Sequence, residues 1–134
     1  MYNVPDMAEV ELKYKYGFRN LVAWQEAHRF TLDIYKVTRS FPTEEKFGII
    51  SQLRRSASSV GANIAEGSSR RTKRDQSHFY TLAKSSLSEV DNFLELSHDL
   101  KYLPDQDYKR LTNHLNRVAY LIHRLIGGNN APNL

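Results

Sequence analysis

Residues 52–74 read QLRRSASSVGANIAEGSSRRTKR, and this stretch decides the fold class. Together with Ile50, the residues Leu53, Ala57, Val60 and Ile64 recur at alternating spacings of three and four, the apolar stripe of an amphipathic helix. Ser56, Ala57, Ser58, Ser59, Gly61, Ala62 and Ala65 are small, so another helix can come close. Gly67 is expected to stop the helix in the left-handed conformation that closes a last turn. Arg70, Arg71, Lys73 and Arg74 then place four cations within five positions. A tight packing surface therefore leads directly into the densest positive charge of the chain.

Upstream, Thr43 followed by Glu44 and Glu45 has the pattern of an N-cap with acids in the first turn, where the helix dipole favours them. This second helix is expected to run to about Glu66. Before it, Phe41-Pro42 closes a first helix that begins at Phe18, since proline disfavours helical geometry in the residue preceding it. One stripe of that helix is Leu21, Trp24, Ala27 with His28, Thr31, Ile34 with Tyr35, and Thr38; Ala23, Phe30 and Val37 form a second, heptad-spaced line. An ordinary surface helix needs one stripe, so the second line marks Phe30 and Val37 as candidate oligomer-interface residues.

Downstream, a third helix is expected from about Thr72 to Tyr102, with the stripe Phe79, Leu82 with Ala83, Ser86, Val90, Phe93, Ser97 and Leu100. Leu103-Pro104-Asp105 is the turn, with Asp105 as N-cap. A fourth helix repeats Tyr108, Leu111, Leu115, Val118, Ile122 and Leu125 and ends at Gly127-Gly128. Short links make neighbouring helices antiparallel, so the expected architecture is all-α: an up-down-up-down four-helix bundle over residues 18–127. Residues 1–17 alternate weakly around Val10, Leu12, Tyr14 and Tyr16 and are read as a mobile arm or a short extended segment. Residues 128–134 are read as a coil tail.

Composition bounds the function. A chain of 134 residues, 40% hydrophobic, suffices for one cored domain and no more. The absence of cysteine excludes disulfides and thiolate metal sites and suits a reducing cytoplasm. No apolar run approaches the roughly 20 residues needed to span a bilayer, and the acid-bearing N-terminus lacks the apolar core of a secretory signal, so a cytoplasmic protein without membrane contact is expected. Net charge is +4, a mild bias toward anionic partners. It is unevenly spread: residues 51–80 carry six Lys/Arg against two acids, whereas residues 81–104 carry two against four.

Catalytic patterns are missing. Glu95-x-x-His98 has the spacing of a bundle di-metal ligand pair, but a complete site needs a second such motif and a glutamate on each remaining helix. Asp75-x-x-His78 lies on the same helix, and the fourth helix has no acid after Asp107. Glu95 and His98 are therefore read as an exposed pair. The serines stand at helical packing spacing with no nucleophile elbow around them. Gly67-Ser68-Ser69-Arg70 lacks the second glycine and Lys-Ser/Thr of a phosphate loop, and the five histidines show no zinc-type pairing. Neither an enzyme nor a metal or other cofactor is expected.

Two polar groups remain. Arg54 and Arg55 precede Asn63 and Glu66 on one helix, with Glu89 on the next; either an arginine pairs with Glu66 or Glu89 to fix register or a subunit contact, or both arginines face solvent. Arg110, Arg117 and Arg124 stand one heptad apart on the fourth helix, with His114 between the first two. Together with Arg70, Arg71, Lys73 and Arg74 they are candidate nucleic-acid-binding residues, because each cation that neutralises a phosphate releases a counterion. No base-reading motif accompanies them.

The pattern Q-x-R-R-x-x-x-S-V-x-x-N-I-A-E-G over Gln52–Gly67 resembles the signature of the bacterial 23S rRNA intervening-sequence proteins. Phe18-x-x-Leu21-x-x-Trp24-x-x-Ala27, Phe41-Pro-x-x-Glu45-x-Phe47-Gly48, Leu82-Ala83-Lys84-Ser85-Ser86-Leu87-x-Glu89-Val90 and Leu100-x-Tyr102-Leu103 extend the likeness across residues 18 to 126, with Ser85 standing where the family usually has glycine. The resemblance implies a barrel-like homopentamer without known catalysis. A related branch, the accessory variability proteins of diversity-generating retroelements, implies RNA or DNA and a reverse transcriptase as partners. The combined expectation is a non-enzymatic, homo-oligomeric bundle that binds RNA or DNA through basic surfaces. The alternatives are a protein-binding accessory subunit of a nucleic-acid enzyme and a purely structural oligomer.

Overall fold

The computed structural model describes residues 4, 6–9 and 17–130, with the backbone alone for 129 and 130. The expected arm positions Val10, Leu12, Tyr14 and Tyr16, and the last four residues of the tail, lie outside the described residues. Four long helices carry the fold: α1 (Val22–Thr38), α2 (Ile49–Ser68), α3 (Lys73–Asp99) and α4 (Asp105–Asn130). A single helical turn at residues 7–9 and two 3-10 turns, Phe18–Asn20 and Thr43–Glu45, complete the helical structure. No strand occurs among the described residues, and none of the helices is long and apolar enough to cross a membrane.

Each helix packs on the next, and α1 packs on α4, closing a bundle; the α2–α3 contact is the most extensive. Cross-helix pairs fix the directions. Arg54 reaches Thr38 while Thr31 reaches the Ala57 carbonyl, Ser59 meets Ser86 while Gly67 faces Gln76 and Tyr80, Glu95 meets Tyr108 while His98 meets Asp105, and Asp33 meets Arg110 while Glu26 meets His114. In every pair the sequence numbers run oppositely, so neighbours are antiparallel. Ile50, Leu53, Ala57, Val60 and Ile64 all enter the core, as their spacing dictates.

The helix ends differ from the expected ones for local reasons. The Phe18–Asn20 turn stops at extended Leu21, so α1 starts at Val22 rather than Phe18. Thr43 caps nothing; Thr43, Glu44 and Glu45 form a separate 3-10 turn, and the non-helical backbone of Gly48 delays α2 to Ile49. Thr72 is a true cap, its hydroxyl accepting from the Asp75 amide at 3.1 Å. Asp105 is the first residue of α4, not its cap, and the helix runs through Gly127 and Gly128 to Asn130.

Gly67 is no left-handed stop. No described glycine has positive φ, and α2 continues through Ser68. A Cβ at Gly67 would lie 2.7 Å from Tyr80 Cε1 and 3.1 Å from the Gln76 carbonyl, so the glycine is required by close helix approach. The buried line of α3 is Tyr80, Ala83, Leu87, Val90, Leu94 and Ser97; Phe79, Ser86 and Phe93 flank it half-buried, and Leu82 and Leu100 are exposed. The observed line and the expected one interleave and share Ala83, Val90 and Ser97, so periodicity alone could not choose between them.

The second stripe of α1 has an intramolecular cause. Because α1 contacts both α2 and α4, it needs two apolar lines. Phe30 is fully enclosed in the protomer's own core, with its ring edge-on to His114 at 5.5 Å, so it offers no surface to a second subunit. Val37 is half-buried against the same core.

Candidate nucleic-acid interface

The link between α2 and α3 is short and well tied. The amides of Ser69 and Arg70 donate to the carbonyls of Glu66 and Gly67, and the Gln76 side chain donates to the Arg70 carbonyl at 3.0 Å. On this frame Arg70 pairs with Glu66 and lays its guanidinium 4.6 Å above the Phe79 ring. Arg71 and Arg74 are exposed and form no ion pair among the described residues, and Lys73 opens α3. Cations around a helix N-terminus oppose its dipole, at a cost of a few tenths of a kcal/mol each. Stability therefore does not explain this cluster.

The row on α4 is not one free stripe. Arg110 grips Asp33 with two bonds of 3.0 Å and Asp107 with a third of 2.6 Å, and the hydrogen bonds to Asp33 and Asp107 raise its pKa further. It is a clamp between α1 and α4, with its guanidinium edges engaged by two carboxylates. Arg117 reaches Glu26 at 3.3 Å while remaining mostly exposed. Arg124 is exposed and donates to the Tyr120 hydroxyl at 3.1 Å. Leu21 lines one hollow with Arg124 and another with Ser68 and Ser69, so Arg124, Arg19 and the basic link share one end of the bundle. Glu44, Glu45, Asp99, Asp105 and Asp107 lie at the opposite end.

The expected polar network of Arg54, Arg55, Asn63, Glu66 and Glu89 does not converge. Arg54 crosses to α1, donating to Thr38 Oγ1 at 2.9 Å and to the Tyr35 carbonyl at 3.3 Å. Arg55 stays with Gln52, Asn63 with Ser59, and Glu66 with Arg70, while Glu89 is exposed without an ion pair. Among the described residues no arginine pairs with Glu89; Arg54 and Arg55 are engaged by other oxygen acceptors.

The network that does form lies on the α1–α4 seam. Glu26, 8% exposed, meets His114 Nε2 at 2.8 Å, Arg29 at 3.2 Å and Arg117 at 3.3 Å. Burial alone would raise its pKa, but the His114 hydrogen bond and the charges of Arg117, His114 and Arg29 outweigh that and hold it below the ordinary glutamate value. One signal for this was in the sequence: Glu26 and Asp33 are a heptad apart, as are Arg110 and Arg117 on the facing helix.

Glu95 and His98 are likewise engaged separately. Glu95 accepts from the Tyr108 hydroxyl, and His98 bonds Asp105 at 2.6 Å while stacking on Tyr108. No group of three His, Asp or Glu side chains able to hold a metal ion occurs among the described residues.

Comparison with known proteins places this geometry. The sequence pattern of the family described as 23S rRNA-intervening sequence protein matches residues 19–124. The fold resembles the crystal structure of a protein of unknown function from the S23 ribosomal protein family of Bacteroides thetaiotaomicron. That protein is 24% identical, with a TM-score of 0.71 over 78% of this chain and 98% of the other. At that identity the likeness speaks for the fold alone. No curated protein matches the chain.

Proposed function

The chain belongs to the 23S rRNA-intervening sequence protein family, and from that premise we propose that it is a non-enzymatic four-helix bundle, assembled as a homo-oligomer and by family likeness a pentamer, that holds RNA or DNA by charge. The observation carrying this reading is the basic link. Arg71 and Arg74 stand exposed, without an ion pair among the described residues, where the helix dipole disfavours them, at the same end as Arg19 and Arg124. A polyanion lying across this end would gain from each phosphate neutralised, with no contribution from base identity.

Association would multiply the effect, because each copy repeats the patch and weak contacts then add through effective concentration. Exposed Leu32, Leu82, Leu96 and Leu100 supply apolar surface for such contacts, in place of the enclosed Phe30. The test is a binding titration of RNA over a range of salt. The affinity should fall steeply with salt, and the Arg71→Ala, Arg74→Ala double variant should bind more weakly with a shallower slope by about two counterions. An unchanged slope would leave the link as a solvated loop. Light scattering reads the assembly independently, and a monomer at every concentration would remove the oligomer.

A further inference from the structure

We propose that the hollow between the Phe18 turn and the C-terminal end of α2 receives the base of an unpaired nucleotide, whose phosphates lie against the basic link. This rests on the electrostatic reading above and narrows its substrate from any polyanion to a strand with unpaired bases.

The hollow measures about 490 Å³ and is lined chiefly by Phe18, Leu21, Ala65, Ser68, Ser69 and Tyr80. That is within the range of small-ligand sites. One wall is apolar and aromatic: Phe18 packs on Trp24 at 4.9 Å and lies under the Arg19 guanidinium at 4.6 Å. Such a wall suits the flat face of any base. The opposite side carries hydroxyls. Ser68 and Ser69 donate to the Ala65 and Glu66 carbonyls and keep their oxygens as acceptors.

Tyr80 is the telling residue. It is 4% exposed as a residue and lines the hollow, and its hydroxyl, which makes no hydrogen bond among the described residues, is not among the buried unpartnered polar atoms. Water at the hollow satisfies it, and an acceptor entering there takes that water's place. Burial raises its pKa, so it remains a donor at neutral pH. Gly67 makes room for the ring, which lies where a Cβ would clash. Ser69 then leads directly into Arg70 and Arg71, so the hollow opens beside cations that select a phosphate-bearing ligand.

A duplex cannot offer a base to this site without unstacking it, so single strands should be preferred. The experiment compares a short single-stranded RNA carrying one 2-aminopurine with the blunt duplex of the same sequence, by fluorescence at low salt. The single strand should bind about ten-fold more tightly and its fluorescence should change on binding. Ala65→Leu fills the hollow and leaves every cation, so it should erase the preference while keeping the salt slope. Tyr80→Phe keeps the ring against Gly67 and should weaken single-strand binding about three- to ten-fold without affecting the duplex. Equal binding of both probes by the parent overturns the proposal, as does a Tyr80→Phe variant with unchanged single-strand affinity, which decides the matter even if Ala65→Leu folds poorly. Salt-dependent binding without preference removes this inference alone; no binding of either probe removes the electrostatic reading with it.

Discussion

Glu26 of α1 holds His114 of α4 at 2.8 Å across a seam where the carboxylate is almost fully enclosed. Three donors converge on one acid there, because Arg29 and Arg117 share its other oxygen. A buried carboxylate is tolerated only when so compensated. The consequence is a definite pH dependence. The folded-state pKa of Glu26 is depressed, so its contribution is fully present above the ordinary glutamate pKa and is lost as pH falls through the lower folded value. Glu26→Gln should cost about 1–3 kcal/mol at neutral pH, since an amide is a weaker acceptor and cannot balance the cations. In urea titrations at several pH values, the gap between parent and variant should be constant near neutrality and close in acid. A gap that widens in acid would contradict the sign.

Arg110 separates stability from binding. Its guanidinium is occupied by Asp33 and Asp107, so it has no free edge for a phosphate. The clamp is half-exposed, which limits its worth to about 1 kcal/mol. Arg110→Ala should therefore lower the melting temperature slightly and leave RNA affinity and salt slope almost unchanged, in contrast to Arg71→Ala with Arg74→Ala. A binding loss as large as that of the Arg71, Arg74 variant would restore Arg110 to the interface.

What the sequence made legible follows from how many arrangements each pattern allowed. On α2 the line Leu53, Ala57, Val60 and Ile64 has no apolar competitor beside it, and it is buried as read. On α3 the lines through Phe79 and Tyr80 are both apolar, and the choice rests on where Gly67 lets a ring lie flat. The candidate cations were visible as charges, but whether each was free was not. Asp107, three positions before Arg110, hinted at a partner, but the two-bond grip of Asp33, 77 positions away, could not be read from the sequence. Phe30 reads in the sequence as a subunit contact because a stripe shows that a face is covered, not which helix covers it.

The glycines of α2 give predictions of opposite sign. Gly61 has only ordinary contact space, its nearest neighbour being Trp24 Nε1 at 3.6 Å. Gly61→Ala should stabilise by up to about 1 kcal/mol through helix propensity. Gly67→Ala gains the same propensity but drives a Cβ to 2.7 Å from the Tyr80 ring, and overpacking costs about 1–3 kcal/mol, so the net effect should be a loss. Thermal melts of the two variants should therefore move in opposite directions. A Gly67→Ala protein as stable as Gly61→Ala would show that the ring yields easily.

The end of α3 offers the last test. Lys101 has φ of 66°, the one positive-φ non-glycine residue among those described, and it sits where helices usually place glycine. Two bonds close the turn there: the Lys101 amide donates to the His98 carbonyl at 3.0 Å and the Tyr102 amide to the Ser97 carbonyl at 2.9 Å. Both bonds use backbone atoms that glycine would keep. Holding a side chain in the left-handed region costs roughly 1–2 kcal/mol, while glycine loses more backbone entropy on folding, about 0.5–1 kcal/mol. The strain is the larger of the two, so Lys101→Gly should stabilise by about 0.5–1 kcal/mol and raise the melting temperature by about 2–6 °C. The Lys101 charge also helps hold the Asp105 carboxyl below its ordinary pKa, but that contribution is solvent-screened and the smallest of those acting on it. If melting is unchanged or lower, the turn has gained from the lysine something its backbone geometry does not show.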